Sequence, residues 1–198
     1  MTLPWEPYDR DAAALAEQYE SLSFEVIHAA LLGCLPASPG VVLDVGAGSG
    51  RDAAWFAGQG FEVVAVEPSA AMRAEAARRH AQPAIRWIAD ALPELASVSR
   101  SGMSCDFVLL AGVWMHVAPE DRPRAFAKLA ALLAPGGRLA FTLRQGPTPP
   151  GRVFHPVSAE ELDALALSHH LARILRADDD DALGRPGVRW STVVFHRA

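Results

Sequence analysis

The chain has 198 residues, of which 51% are hydrophobic and 21% are charged, a composition that fits one globular domain and excludes disordered and fibrous proteins. We therefore expect residues 1–198 to form a single domain. The formal net charge is −5, and the scattered Lys and Arg residues form no basic stripe of the kind that binds nucleic acid, so we expect no nucleic-acid partner.

Residues 1–37 are predicted to form an N-terminal helical cap. Ala, Leu and Glu dominate Asp11–Leu35, and a break near Ser21–Ser23 divides this segment into two short helices. Pro36 and the turn Ser38-Pro39-Gly40 end the second helix.

Residues 41–198 alternate between short apolar runs and helical patterns. The predicted strands are Val41–Val45, Glu62–Glu67, Ile85–Ala89, Asp106–Val113, Arg138–Leu143, Ala172–Arg176 and Val188–Arg197. The predicted helices are Arg51–Gln59, Ser69–His80, Glu120–Ala134 and Ser158–Ser168. This alternation indicates an α/β core with a parallel sheet that crossover helices cover on both faces.

The last two strands are joined without a helix, so we expect them to pair as an antiparallel hairpin at the edge of the sheet. The acidic residues between them, Asp178–Asp181, are predicted to be a solvated loop, because the alternating oxygen ligands of a calcium site are missing. The predicted fold class is therefore α/β, with a doubly wound, mostly parallel sheet and a reversed last strand.

A glycine-rich turn, Gly46-Ala47-Gly48-Ser49-Gly50, joins the first strand to a helix. Glycines there let a ligand approach the backbone, and the helix amides favour an anionic group. The dinucleotide fingerprint G-x-G-x-x-G is incomplete. Its last glycine would fall at position 51, which Arg51 occupies, and the third glycine of this turn is Gly50. Asp44 would also repel a pyrophosphate, whereas it would attract an ammonium group. A ligand with an amino acid end therefore fits better.

Glu67 ends the second strand, roughly 20 residues after the glycine turn. A carboxylate at this position accepts hydrogen bonds from both hydroxyls of a ribose. The alternative is an ordinary carboxylate at a strand end.

The blocks VVLDVGAGSGRDAAWFAGQG, VVAVEPSAAM, IADA, FVLLAGVWMHV and LLAPGGRLAFT follow one another along Val41–Arg144. In this order they resemble the motif series of class I methyltransferases. The resemblance implies a Rossmann-like, seven-stranded sheet with a reversed last strand. It also implies S-adenosylmethionine as cofactor and S-adenosylhomocysteine as product.

The resemblance further implies which residues bind the cofactor. Gly46, Ala47 and Gly48 would line its methionine part, and Glu67 would hold the ribose. The remaining positions would border the adenine or the methionine ammonium, and they are Asp44, Pro68, Ser69, Met72, Asp90, Ala91, Ala111 and Gly112.

Two further contacts to the cofactor are predicted with open alternatives. Arg51 could grip the methionine carboxylate through a charge-assisted pair, or it could be a solvated surface arginine. Tyr8 or Tyr19 from the cap, with Tyr19 the preferred candidate, could touch the same end. The alternative for both tyrosines is packing against the sheet.

Trp114, Met115 and His116 follow the fourth strand, at the rim where such folds bind ligands. His116 is the candidate catalytic residue, because a histidine can remove a proton from the acceptor near neutral pH. The alternative is a positioning role for His116, since methyl transfer from a sulfonium depends mainly on alignment.

Metal sites, secretion and membrane insertion are not expected from this sequence. The cysteines, Cys34 and Cys105, lack metal or disulfide spacing and are predicted to be unpaired thiols. The N-terminus has no signal-peptide pattern, and no segment has the roughly 18 apolar residues of a membrane helix, so we expect a cytoplasmic protein.

The sequence thus predicts a methyltransferase with a small-molecule acceptor. The fourth strand lacks the Asn/Asp-Pro-Pro-aromatic signature associated with methylation of nucleic-acid bases. Two alternatives stay open at this point. One is a module that binds S-adenosylmethionine without catalysis, and the other is an NAD-dependent oxidoreductase.

Overall fold

The computed structural model describes residues 4–198, which begin with a cap of short helices. These are α1 Glu6–Arg10, α2 Ala12–Glu20 and α3 Phe24–Ile27, followed by a 3-10 helix at Ala29–Cys34. The predicted break near Ser21–Ser23 lies between α2 and α3. Helix α1 was not predicted, because its five residues are too short to show a helical period.

The α/β part follows from residue 41, and its strands alternate with helices as far as β6. Its elements are β1 Val41–Val45, α4 Arg51–Gly58, β2 Glu62–Val66, α5 Ala70–Arg79, β3 Ile85–Ile88, α6 Ala96–Arg100, β4 Cys105–Ala111, α7 Arg122–Ala131, β5 Leu133–Gln145, α8 Ala159–Ser168, β6 Leu171–Asp180 and β7 Arg189–Arg197.

The strands form a seven-stranded sheet in the order β3-β2-β1-β4-β5-β7-β6. Strands β1 to β5 are parallel, and β7 runs antiparallel to both β5 and β6. The Rossmann-like sheet with a reversed last strand is therefore confirmed. The hairpin is also confirmed, with β6 as the edge strand and β7 inserted between it and β5.

Both faces of the sheet are buried, as a parallel sheet between helix layers requires. In β1, Leu43 and Val45 pack into one core, whereas Val42 packs into the other together with Phe56 of α4. Asp44 is on the same face as Val42 and is also buried. The carboxyl end of β1 thus places a carboxylate next to the start of α4.

Two sequence predictions of local structure are wrong. Asp178–Asp180 belong to β6 instead of a loop, because β7 continues the ladder as far as Asp180 opposite Arg189. Asp181 is not solvated either, since its side chain is 3% exposed and accepts hydrogen bonds from Arg185 and Trp190.

Residues 4–198 can be searched for disulfides, membrane-spanning helices and groups of metal ligands. Both cysteines are free. Over this range, no helix is long and apolar enough to cross a membrane. No group of three or more His, Cys, Asp or Glu side chains in the same range could hold a metal ion.

Candidate functional site

A cavity of about 470 Å³ lies between the carboxyl ends of the central strands and the N-terminal cap. Except for Ser69, all the predicted site residues line it: Tyr19, Asp44, Gly46, Ala47, Gly48, Arg51, Glu67, Pro68, Met72, Asp90, Ala91, Ala111, Gly112 and His116. Parallel strands end at one edge of the sheet, and the crevice there is where doubly wound folds bind ligands.

The glycine turn approaches the cavity with its backbone. Gly46 has φ +74°, and a Cβ there would lie 2.5 Å from a methyl carbon of Val113, so only glycine fits without a shift. The amides of Gly46 and Ala47 both donate to the carbonyl of Val66, at 2.7 and 2.9 Å. This fixes the turn between β1 and α4 against the end of β2, and the glycines at positions 46 and 48 add no side chains of their own to the cavity.

Glu67 braces this turn from the end of β2. Its carboxylate accepts one hydrogen bond from the Gly48 amide at 2.9 Å and another from the Ser69 amide at 2.8 Å. Burial raises the pKa of Glu67, and the two amide bonds offset part of this effect. Each oxygen keeps a lone pair for a ligand hydroxyl.

Among the described residues, Asp44 carries a buried polar atom without a partner in the cavity wall, as does His28 at its Nδ1. Asp44 is 1% exposed, and its Oδ2 has no hydrogen-bond partner within residues 4–198. Burial raises the pKa of Asp44 well above its usual value, and the negative charge of nearby Asp52 adds to this effect. A cation or a donor placed here would relieve the cost of the buried carboxyl.

Arg51 at the start of α4 links the cap to the turn. Its Nε donates to Asp52 Oδ1 at 2.7 Å and its Nη1 to the carbonyl of Tyr19 at 2.7 Å. Asp52 Oδ2 lies 2.9 Å from Nε2 of the buried His28. Burial opposes ionisation of Asp52, but His28 and Arg51 together lower its pKa. The grip of Arg51 on a methionine carboxylate stays a prediction.

Two of the residues predicted to border the adenine, Ser69 and Asp90, already form hydrogen bonds within the protein. Ser69 caps α5 by accepting a hydrogen bond from the Met72 amide at 3.1 Å, and it donates one to Asp9 at 2.6 Å. Its side chain stabilises the helix start and the contact with the cap, and it does not line the cavity. Asp90 lines the cavity but already accepts four amides, those of Ala91, Ala96, Ser97 and Val98. Its hydrogen bond to adenine stays a prediction.

His116 occupies the other end of the cavity, in the 3-10 helix Trp114–His116. Its Nε2 lies 3.0 Å from the hydroxyl of Tyr8, and its ring also bonds to the backbone of Val153. Burial and the neighbouring Arg152 lower the pKa of His116 to about 4, whereas burial raises the pKa of Tyr8. Near neutral pH, the Tyr8 hydroxyl therefore donates to a neutral imidazole.

Trp114 does not line the cavity, although its place after the fourth strand predicted a position at the ligand-binding rim. It is fully buried in the core against Phe126 and Phe141. The 3-10 turn directs Met115 and His116, but not Trp114, to the cavity. A large apolar side chain next to a buried strand can point to the core or to the rim, and the sequence pattern does not distinguish these.

The sequence analysis missed several side chains that line the cavity. His28 and Asp52 come from the cap and from α4, and neither has a motif. Others come from segments after the matched motif series, namely Arg144, Arg152, Phe154, Arg185 and Trp190. No local pattern marks them, because their proximity depends on how β5, β6 and β7 pack.

The fold and the site together define a Rossmann-like protein with a cavity for a ligand that carries a ribose and an ammonium group. Comparisons with known proteins agree with this class. The model of the methyltransferase domain family matches residues 42–137. An uncharacterized methyltransferase from Geobacillus kaustophilus is 29% identical over 136 residues, which cover 69% of this chain and 61% of that relative. The chain thus spans less than two thirds of this relative.

Solved structures give the same assignment over longer ranges. The Burkholderia thailandensis 1,6-didemethyltoxoflavin-N1-methyltransferase, with bound 1,6-didemethyltoxoflavin and S-adenosylhomocysteine, is 25% identical with a TM-score of 0.66. That match covers 100% of this chain and 92% of the other. The Synechocystis magnesium protoporphyrin IX methyltransferase, with bound S-adenosylmethionine, has a TM-score of 0.67 at 15% identity, covering 96% and 84%. These matches support assignment of the chain to the class I S-adenosylmethionine-dependent methyltransferases.

Proposed function

We propose that this protein transfers the methyl group of S-adenosylmethionine to a small-molecule acceptor. The observation that carries the proposal is the unpartnered Oδ2 of Asp44 beside the glycine turn. An ammonium group there would satisfy a buried oxygen, whereas a pyrophosphate would add a negative charge next to Asp44, Asp52 and Glu67.

The residues of the cavity fit the cofactor part by part. Asp44 would pair with the ammonium, and the bare turn at Gly46 would let the methionine part approach the backbone. Glu67 would accept from the ribose hydroxyls with the lone pairs that Gly48 and Ser69 leave free. Met72 is buried and would pack against the adenine.

The chemistry needs alignment more than it needs an acid or a base. When bound, S-adenosylmethionine supplies an electrophilic methyl: the acceptor lone pair forms the new bond to carbon, the carbon–sulfur electrons stay on sulfur, and S-adenosylhomocysteine and a proton are released. Tyr8 and Tyr19 of the cap line the cavity and would help to align the bound reactants. We assign His116 to positioning, because a base with a pKa near 4 is weak at neutral pH.

A small acceptor fits the size of the cavity, since about 470 Å³ must hold the cofactor and the acceptor together. The relative from Burkholderia thailandensis carries a small heteroaromatic compound in its structure. The acidic net charge also disfavours a polyanionic partner.

Formation of S-adenosylhomocysteine tests the proposal. The wild-type protein is incubated with S-adenosylmethionine and pooled small metabolites, and Gly46→Val serves as the cofactor-site control. We expect product with the wild type only and in proportion to the enzyme. Binding of S-adenosylmethionine without any product across chemically varied pools would favour a non-catalytic module. Binding of NAD in its place would favour an oxidoreductase.

A further inference from the structure

Five side chains form a continuous wall at the acceptor end of the cavity, here called the arginine–aromatic wall. They are Arg144, Phe154, His116, Tyr8 and Arg152. The Arg144 guanidinium lies 5.3 Å from the Phe154 ring centroid, and the Phe154 ring meets His116 edge-on at 4.9 Å. His116 bonds to Tyr8, whose ring lies under the Arg152 guanidinium at 4.5 Å. Two cations thus flank three rings.

The two arginines of this wall have no carboxylate as an ion-pair partner within residues 4–198. Across residues 4–198, neither Arg144 nor Arg152 forms a salt bridge. Arg144 is buried, and its one hydrogen bond goes to the carbonyl of Pro147 at 2.9 Å. A guanidinium has five donors. Most of the donors of Arg144 are therefore available for a ligand.

The neighbouring charges do not neutralise the wall. Arg185 is paired with Asp181 through two hydrogen bonds, at 3.0 and 2.6 Å, so this pair adds no net charge. Asp179 and Asp180 line the mouth of the cavity but are exposed, and Asp180 pairs with Arg189 at 3.3 Å. Burial and Arg185 lower the pKa of Arg144, Asp181 offsets the effect of Arg185 in part, and Arg152 lowers the pKa further. Positive charge is therefore concentrated at this wall of an acidic protein.

We propose that the acceptor is an aromatic carboxylate whose anionic group binds between Arg144 and Arg152. A guanidinium matches the planar geometry of a carboxylate, and Arg152 is near enough to Arg144 to lower its pKa, so one anion could meet both charges. Phe154, Tyr8 and Trp190 supply aromatic surface for the ring. This inference rests on the proposed methyl transfer, because it assigns the substrate class of the same cavity.

The anion at this wall could be the carboxylate of the acceptor or the methionine carboxylate of the cofactor. The contribution of Arg144 to binding distinguishes these two sources. Arg152 forms side-chain hydrogen bonds with both Tyr8 and Tyr19, and Tyr19 packs over Gly48 of the glycine turn. A methionine carboxylate could therefore reach Arg152 from that side. Arg144 contacts Phe154 and the carbonyl of Pro147, and no contact joins its side chain to the glycine turn within residues 4–198. An acceptor carboxylate engages both arginines, whereas a cofactor carboxylate engages Arg152 alone.

Calorimetric titration with a matched pair of probes tests the proposal. The probes are 4-hydroxybenzoate and the uncharged 4-hydroxybenzamide, titrated with and without saturating S-adenosylhomocysteine. We expect the wild type to bind the benzoate at least about tenfold more tightly than the benzamide. Arg144→Gln and Arg152→Gln should each reduce this ratio to about threefold or less. The surface variant Arg173→Gln, which loses only an exposed pair with Asp163, should keep it.

The outcomes separate this inference from the proposed function. Equal wild-type affinity for both probes overturns the aromatic carboxylate, and this comparison does not depend on whether a variant folds. A preference that survives Arg144→Gln, combined with weaker binding of S-adenosylhomocysteine by Arg152→Gln, also overturns it and assigns Arg152 to the cofactor. Failure of S-adenosylhomocysteine to bind the wild type contradicts the proposed function instead. The titration without that ligand still measures the preference for the carboxylate.

Discussion

Two buried carboxylates, Asp44 and Glu67, are the residues that we propose recognise the cofactor, and their environments differ. Glu67 is held by two amides, whereas Asp44 has an oxygen without a partner. Both could be predicted from the sequence, because each stands at the end of a β-branched run next to the glycine turn. Their hydrogen bonds could not, since the partners of Glu67 depend on how the turn folds back.

Replacement of Glu67 tests the ribose contact. Glu67→Ala removes both acceptor oxygens, and hydrogen bonds to charged groups are worth roughly 1.5–3 kcal/mol. The dissociation constant for S-adenosylhomocysteine, measured by calorimetry, should rise at least about tenfold. Glu62→Ala is the matched control, because Glu62 is exposed at the opposite end of β2. Unchanged affinity in Glu67→Ala would show that Glu67 does not hold the ribose.

His116 makes the stability of the protein depend on pH. The folded state keeps the imidazole neutral, with a pKa of about 4 against 6.5 for the free side chain. As the pH falls from about 6.5 to about 4, the unfolded chain therefore binds this proton first, and folding stability decreases. Above pH 6.5 both states are neutral, and the contribution no longer changes.

The variant His116→Asn isolates this effect, because asparagine can accept a hydrogen bond from Tyr8 but does not titrate in this range. Urea unfolding at pH 7 and at pH 5 should show a larger loss of stability in the wild type than in His116→Asn. Titration of Asp44 and Glu67 affects both proteins alike and cancels in the difference. An equal loss in the two proteins would mean that His116 is not held neutral.

Among the elements that line the cavity, the glycine turn has a strict backbone requirement at Gly46. Gly46→Ala combines a left-handed backbone, which costs a side chain roughly 1–2 kcal/mol, with a contact of 2.5 Å to a Val113 methyl. It should lower the free energy of unfolding by at least that amount and also weaken binding of S-adenosylhomocysteine.

Gly58→Ala is the control for this substitution. Gly58 lies in the last turn of α4 with open space around its Cα, so alanine should stabilise the helix by about 0.5–1 kcal/mol. Denaturant unfolding measures both variants. Equal midpoints for Gly46→Ala and the wild type would contradict the strained turn.

The helices of the N-terminal cap could be predicted from local sequence patterns, but the way the cap attaches to the α/β part could not. Its helical character and its break followed from composition and turn residues. Its attachment depends on contacts between distant residues, such as His28 with Asp52 at 2.9 Å and Ser69 with Asp9 at 2.6 Å. A single sequence contains no signal for pairs that are far apart in the chain.

At the scale of the whole molecule, the order of strands and helices was predictable. The strands are short apolar runs, the helices have apolar residues at helical spacing, and turn residues separate the two. The reversed last strand followed from the missing helix between β6 and β7. The length of β6 was not predictable, since Asp178 to Asp180 have poor strand propensity and are held by pairing with β7. The acceptor end was missed for the same reason, because it is assembled by packing of the last strands and the loop that carries Arg152 and Phe154.

Thermal unfolding with candidate cofactors tests the central claim most directly. Ligands that bind only the native state stabilise it by about 2.7 kcal/mol at a hundredfold excess over their dissociation constant. We predict that S-adenosylmethionine and S-adenosylhomocysteine raise the melting temperature of the wild type, that Glu67→Ala shows a smaller rise, and that NAD has no effect. A rise with NAD and none with either S-adenosyl compound would contradict the account.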